Sequence, residues 1–229
     1  MLGILDSGKG GENTAREIRR QRPDVDIMLY LDREHAPYGE RREDELIPLV
    51  EGGISSLCEA GVDRVLLACC TASSIYDRLS ASARRVALPI IEPVANMARL
   101  MANGGKIALI ATERTIASGE FRRYLGENLA ISIPAPRLVR LIDEGASDTH
   151  RGEEISDYLE ELLLPISESG ASLLILRCTH FSSLRGEIQG ALDKITKRKI
   201  LIADSAKIAA RALLESGTAR EGVGRLMRL

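Results

Sequence analysis

Leu66-Leu67-Ala68-Cys69-Cys70-Thr71-Ala72-Ser73 opens as an apolar run and closes on small and hydroxylated residues, and Leu174-Ile175-Leu176-Arg177-Cys178-Thr179-His180 repeats the pattern in the second half of the chain. A short apolar run without polar alternation reads as a strand buried on both faces, the kind found in parallel sheets. The residues after each run read as the turn into a helix. In an open α/β sheet, ligands bind at the carboxyl ends of parallel strands, so each segment sets a thiol at such an edge.

Working outward, apolar runs alternate with amphipathic stretches over the whole length, the signature of β-α-β units. Candidate strands are Leu2–Leu5, Ile27–Leu31, Val65–Ala68, Pro89–Ile91, Ile107–Ala111, Ala130–Ile133, Leu173–Leu176 and Ile200–Ala203. Candidate helices cover 12–21, 43–60, 72–84, 94–103, 115–125, 137–144, 152–169, 182–195 and 205–215. In 43–60, Leu46, Leu49, Val50, Ile54 and Leu57 share one helical face. Pro93, in Ile91-Glu92-Pro93-Val94, marks a break between strand and helix. The pattern therefore predicts an α/β fold of two lobes, residues 1–93 with 205–229 and residues 94–204, each a mostly parallel sheet flanked by helices. A return crossing near Ala203-Asp204-Ser205 lets the last helix pack on the first lobe, and the cleft between lobes is the expected site.

Composition narrows the ligand. The 229 residues carry 31 Lys and Arg against 33 Asp and Glu, a net charge of −2, and the cations are scattered, so no electrostatic footprint for nucleic acid is present. A small charged metabolite is the natural ligand. No apolar stretch approaches the roughly 20 residues that a membrane span needs, and the chain begins on strand-like Leu2–Leu5 instead of a basic and then apolar leader. The reading is a cytoplasmic protein that does not contact a membrane. Cysteines at 58, 69, 70 and 178 are too sparse for a disulfide scaffold, and no Cys-x-x-Cys or His-x-x-x-His spacing suggests a metal.

Three segments can carry chemistry. Asp6-Ser7-Gly8-Lys9-Gly10-Gly11 links the first strand to a helix, but it lacks the Gly-Lys-Ser/Thr ending of a phosphate loop and the Gly-x-Gly-x-x-Gly of a dinucleotide site. It is either a ligand loop or a tight connection capped by Asp6 or Ser7. Asp32-Arg33-Glu34-His35-Ala36-Pro37-Tyr38-Gly39 follows the second strand, with Pro37 and Gly39 fixing the backbone and Tyr38 offering a hydroxyl; it is a ligand loop or a structured polar one. The thiols are the third element, although free cysteine is also a common core residue. A thiol with a pKa of about 8.5 is only a few per cent thiolate at neutral pH. A helix end contributes roughly 0.3–1 kcal/mol, less than the roughly 1.36 kcal/mol of one pKa unit. Each thiol therefore wants a partner, Asp6 for Cys69 and His180 for Cys178, the alternative for His180 being a core or surface imidazole. Two thiols on opposite sides of one carbon can take a proton from one face and return it to the other, inverting the centre without a cofactor.

Asp6-Ser7-Gly8-x-Gly10-Gly11, Ala36-Pro37-Tyr38-Gly39, Ala68-Cys69-x-Thr71-Ala72-Ser73, Ala111-Thr112-x-x-Thr115, Cys178-Thr179-His180 and Asp204-Ser205-Ala206 together resemble the glutamate racemase family of cofactor-independent amino-acid racemases, in the family's order and across nearly the whole chain. The resemblance implies two pseudo-symmetric α/β lobes with the site between them, and interconversion of L- and D-glutamate without pyridoxal phosphate or metal. By position, Cys69 and Cys178 match the catalytic thiols, and Asp6 and His180 the groups that assist them. Ser7, Pro37, Tyr38, Gly39, Cys70, Thr71, Thr115 and Thr179 match substrate-binding positions, and Glu144 an acidic residue near the site. The family supplies D-glutamate for peptidoglycan, usually as a homodimer, so the implied partners are a small acidic amino acid and a second copy.

Five positions depart from that pattern. Cys70 replaces an Asn that holds the amino-acid head group, and loss of an amide partner costs on the order of 1–3 kcal/mol of binding. Arg177 replaces a Gly before the second thiol; by the pleat its side chain points away from Cys178 and covers a surface, whereas an inward turn depresses that thiol's pKa. Phe181-Ser182 stands for Tyr-Pro, and His35 for Arg. These changes leave open a racemase for aspartate or another acidic amino acid, a one-thiol lyase or isomerase of the same architecture, and a binding protein without turnover.

Overall fold

The computed structural model describes residues 1–8, 10–143, 149–177, 181, 184–215 and 221–229. It divides into two compact units, Met1–Val94 with Ala206–Leu229, and Ala95–Ser205. The first unit runs β1 (Leu2–Asp6), α1 (Gly10–Gln21), β2 (Ile27–Leu31), α2 (Glu43–Glu59), β3 (Arg64–Leu67), α3 (Cys70–Ser74), α4 (Ala81–Val86) and β4 (Ala87–Pro89). Helix α5 (Ile91–Ala102) leads into the second unit, which runs β5 (Lys106–Ala111), α6 (Glu113–Ala117), α7 (Glu120–Leu125), β6 (Leu129–Pro134), α8 (Pro136–Asp143), α9 (Thr149–Glu168), β7 (Ala171–Arg177), α10 (Arg185–Ile195) and β8 (Leu201–Asp204). The chain then returns through α11 (Ser205–Glu215) to β9 (Leu226–Arg228).

Among the described residues the strands form two sheets, in the orders β4-β3-β1-β2-β9 and β6-β5-β7-β8, and every pairing is parallel. Parallel strands need helical crossovers, which bury both faces, and this is why the central strands are apolar throughout. In the first unit Leu5, Val65 and Leu67 face Leu46, Val50, Ile54 and Leu57 of α2. On the other face Leu2, Ile4 and Leu66 meet Ala15 and Ile18 of α1 and Ala210 and Leu213 of α11. In the second unit Ala108, Ile110, Leu174 and Leu176 pack against Leu138 of α8, Leu159 and Leu163 of α9, and Ile188 and Leu192 of α10. No helix among the described residues is long and apolar enough to cross a membrane.

Several expected elements are corrected. The single helix over 72–84 is three pieces: α3, a 3-10 turn at Tyr76–Arg78, and α4. The break tucks Ile75 and Leu79 into the core, and the Ser80 hydroxyl restarts the helix by accepting from the Ala83 N–H at 3.3 Å. The helix over 115–125 is likewise split into α6 and α7 by Gly119, whose φ of +74° lies in the left-handed region. The strand expected at Pro89–Ile91 lies earlier, at Ala87–Pro89, and Pro93 sits in the first turn of α5, where its missing N–H costs nothing. Strand β9 has no counterpart among the expected elements. Asp26 holds it to the edge of β2, accepting from the Val223 N–H at 3.2 Å, the Arg225 N–H at 2.8 Å and the Arg225 guanidinium at 3.0 Å.

Candidate active site

The chain passes from β1 to β2 on one side of β1 and then to β3 on its other side, so the first sheet reverses direction between β1 and β3. The second sheet does the same between β5 and β7. A crevice opens beyond the carboxyl ends of the strands at such a switch point, and ligands bind there. Asp6 and Ser7 close β1, and Cys69, Cys70 and Thr71 follow β3; Thr112 and Thr115 follow β5, and β7 runs directly into Cys178. The sequence-predicted residues thus divide between two topologically equivalent places, one in each unit.

In the first unit these residues are buried and tied together. The Ala68 and Cys69 N–H groups both donate to the Leu5 carbonyl, at 3.0 and 3.4 Å, carrying the β1 to β3 ladder past the end of β3. Cys69 then takes the N-cap position of α3, with φ −66° and ψ 122°. Its Sγ lies 3.5 Å from the Ser7 Oγ. Asp6 is fully buried, and its Oδ1 accepts the Gly8 N–H at 2.9 Å, an Asx turn that tightens the connection ahead of α1. Gly11 explains the glycines: a Cβ there would stand 2.8 Å from both Asp6 Cβ and Leu31 Cδ2, because α1 begins directly on top of these strand ends. Ser7, Cys70 and Thr71 are buried beside Cys69, while Pro37 and Gly39 are half-buried.

Burial dominates the electrostatics of Cys69. Desolvation, reinforced by the neighbouring Asp6 carboxylate and the Cys70 thiol, pushes its pKa up to about 12, and the Ala72 amide and Ser7 hydroxyl offset this only in part. Cys69 therefore rests as a protonated thiol. Tyr38 is 1% exposed and belongs to the same apolar cluster as Cys69. Burial first, and then its hydrogen bond to Asp32, hold the Tyr38 phenol well above its ordinary range.

The loop after β2 contains a cluster whose centre, Asp32, sequence reasoning left without a role. Asp32, 7% exposed, receives the Tyr38 hydroxyl on Oδ2 at 2.7 Å. Its Oδ1 lies 2.7 Å from His35 Nδ1 and 3.3 Å from the His35 backbone N–H. The spacing Asp32, His35, Tyr38 was the available signal, since residues three apart in a tight turn can share one carboxylate.

In the second unit the Thr112 hydroxyl caps α6, accepting the Thr115 N–H at 3.3 Å and donating to the Thr115 Oγ1 at 2.9 Å, and Thr115 is fully buried. Arg177 corrects the expectation of a surface residue. It is fully buried, with its guanidinium carbon 4.5 Å from the centroid of the Phe121 ring. It stands in register with Ala111 of β5, while Leu174 and Leu176 join the cluster under α8, α9 and α10. A cation over an aromatic face in a desolvated place is a favourable contact of up to about 2 kcal/mol. Cys178, Thr179, His180 and Glu144 lie outside the described residues.

Two all-parallel α/β units, one with a buried thiol at its switch point and the other with its equivalent strand leading into a second, define a protein of the two-lobed racemase class. The pattern of the family described as Asp/Glu/Hydantoin racemase matches residues 12–213, and the chain belongs to that family. It is 36% identical over 217 residues to the glutamate racemase of Desulforudis audaxviator, covering 92% of this chain and 77% of that one. Among solved structures it is similar to glutamate racemase from Thermus thermophilus in complex with beta-chloro-D-alanine, with a TM-score of 0.79 and 30% identity over 99% of this chain and 86% of that one. A glutamate racemase isoform from Bacillus anthracis superposes with a TM-score of 0.84 at 27% identity, over 100% of this chain and 86% of that one.

Proposed function

We propose that this chain interconverts L- and D-glutamate by proton transfer between two thiols, Cys69 and Cys178, placed on opposite faces of the substrate α-carbon. One sulfur, as thiolate, takes the α-proton; the other, as thiol, gives its proton to the opposite face of the resulting carbanion. The two sulfurs end the turnover with their proton states exchanged, so no cofactor is consumed. The observation that carries this reading is the placement of Cys69, buried immediately beyond β3 at the switch point of the first unit, in a family of racemases.

The Asp6 carboxylate beside Cys69 favours its thiol form. Asp6 and His180 assist the two sulfurs as acid–base partners. Ser7, Pro37, Tyr38, Gly39, Cys70 and Thr71 from the first unit, and Thr115 and Thr179 from the second, hold the substrate. The enzyme acts in the cytoplasm as a homodimer, and its product enters peptidoglycan. Incubation with L-glutamate in deuterated water should yield D-glutamate carrying deuterium at the α-carbon, and Cys69→Ser and Cys178→Ser should each abolish inversion. Absence of exchange with wild-type protein would remove the proposal.

A further inference from the structure

We infer that Asp32 is a positioning residue for the substrate loop Pro37–Gly39, acting through His35 and Tyr38. The inference rests on the glutamate reading above and adds a residue to it. Asp32 begins the loop immediately after β2, and its N–H donates to the Asp6 carbonyl at 2.9 Å, which ties it to the end of β1. From this fixed point its carboxylate reaches both sides of the loop. One oxygen faces His35 Nδ1 and the other accepts the Tyr38 hydroxyl, both at 2.7 Å.

The chemistry of the three groups leaves one arrangement. An ionised carboxylate only accepts, so His35 carries a proton on Nδ1 and Tyr38 commits its only proton to Asp32. The phenol oxygen then retains acceptor capacity alone towards anything else that approaches it. Arg41 adds a further tie by donating its Nε to the His35 carbonyl. The Tyr38 ring, held at its hydroxyl, packs in the apolar cluster that includes Cys69 and Ala72, so the carboxylate fixes the loop against the wall that carries the first thiol. Charge-assisted bonds of this length to a buried acceptor are the strong ones.

The test is Asp32→Asn. An amide has one accepting oxygen, so on the side that meets its NH2 group Tyr38 must turn its hydroxyl to accept or His35 must move its proton to Nε2, and both charge-assisted bonds become weaker neutral ones, which loosens the loop. The expected result is a rise of at least tenfold in KM for glutamate, and in Kd measured by calorimetry, with kcat within threefold of wild type. Tyr38→Phe should raise KM at least threefold, and adding it to Asp32→Asn should produce less than the product of the two single effects. Tyr38→Phe alone decides the matter if Asp32→Asn does not fold. The inference is overturned if KM stays within twofold in the folded variants, if kcat falls tenfold at unchanged KM, or if the effects multiply. Wild-type protein that binds glutamate without exchange would sink the racemase reading and leave the Kd arm to judge Asp32; protein that does neither overturns both.

Discussion

Exposing ligand-free protein to an aromatic disulfide at about pH 8 tests the charge state of Cys69, with Cys70→Ala making Cys69 the only thiol on its peptide. An unburied cysteine with the ordinary value near 9 is about 10% thiolate under those conditions, whereas a thiol raised to about 12 is only about 0.01% thiolate, a thousandfold loss of the reactive species. Nucleophilicity recovers part of this, because a more basic thiolate attacks faster with a Brønsted slope of about 0.4–0.5, roughly 15- to 30-fold over three units. The net expectation is a rate about 30- to 70-fold below that of a simple thiol, before any steric shielding by the surrounding core. Mass spectrometry of the mixed-disulfide peptide against time, with a small thiol of ordinary pKa in the same tube, reads both rates. The Cys69 rate should also climb close to tenfold per pH unit beyond the point at which the reference levels off. A plateau for Cys69 at or below about pH 10, or a rate within threefold of the reference at pH 8, would refute burial and Asp6 as controls on this sulfur.

The same raised pKa makes the fold weaken in alkali: the folded chain holds the Cys69 proton from about pH 9 to about 12 while the unfolded chain releases it, so stability falls as pH rises through that window. The stability advantage of wild type over Cys69→Ser should shrink by about 1 kcal/mol per pH unit there, read by urea denaturation. Gly11→Ala drives a methyl group into Asp6 and Leu31, and should cost about 1–3 kcal/mol in the same assay by overpacking. Arg177→Ala removes the group stacked on Phe121 and leaves a void in the second unit, with an expected loss of about 3 kcal/mol; a change below about 1 kcal/mol would mean that the guanidinium contributes nothing net. Cys70→Asn should tighten glutamate binding by about 1–3 kcal/mol in calorimetry, and weaker binding would show a pocket shaped for another acid.

Much of the fold is legible because parallel strands leave a strong trace. Ile27–Leu31 is an uninterrupted apolar run, and the structure has a strand with those bounds. The long helices α2 and α9 follow from their apolar spacing. Short elements escape because their signal is not local. Helix α3 stops where Ile75 and Leu79 turn into the core, a tertiary demand that outweighs the helical propensity of the stretch. Strand β9 forms because Asp26, distant in sequence, supplies acceptors to its approach, and nothing in Gly224-Arg225-Leu226-Met227 announces that pairing.

The candidate site divides along the same line. Asp6, Ser7 and Cys69 were readable because a strand end followed by small residues is where a parallel sheet offers its ligand edge, and β1 and β3 are adjacent through their register. Asp32 was not, because a carboxylate in a polar loop looks solvated until the loop folds over it. Arg177 was misread for the opposite reason. A cation at the end of a strand suggests a surface when the pleat is considered alone, but the strand beside it ends in Ala111, too small to fill the layer, and Phe121 supplies the ring that lets a long guanidinium replace apolar bulk. Alternation along one strand fixes the face on which a residue lies; whether that face is wet depends on what packs against it, and that information sits elsewhere in the chain.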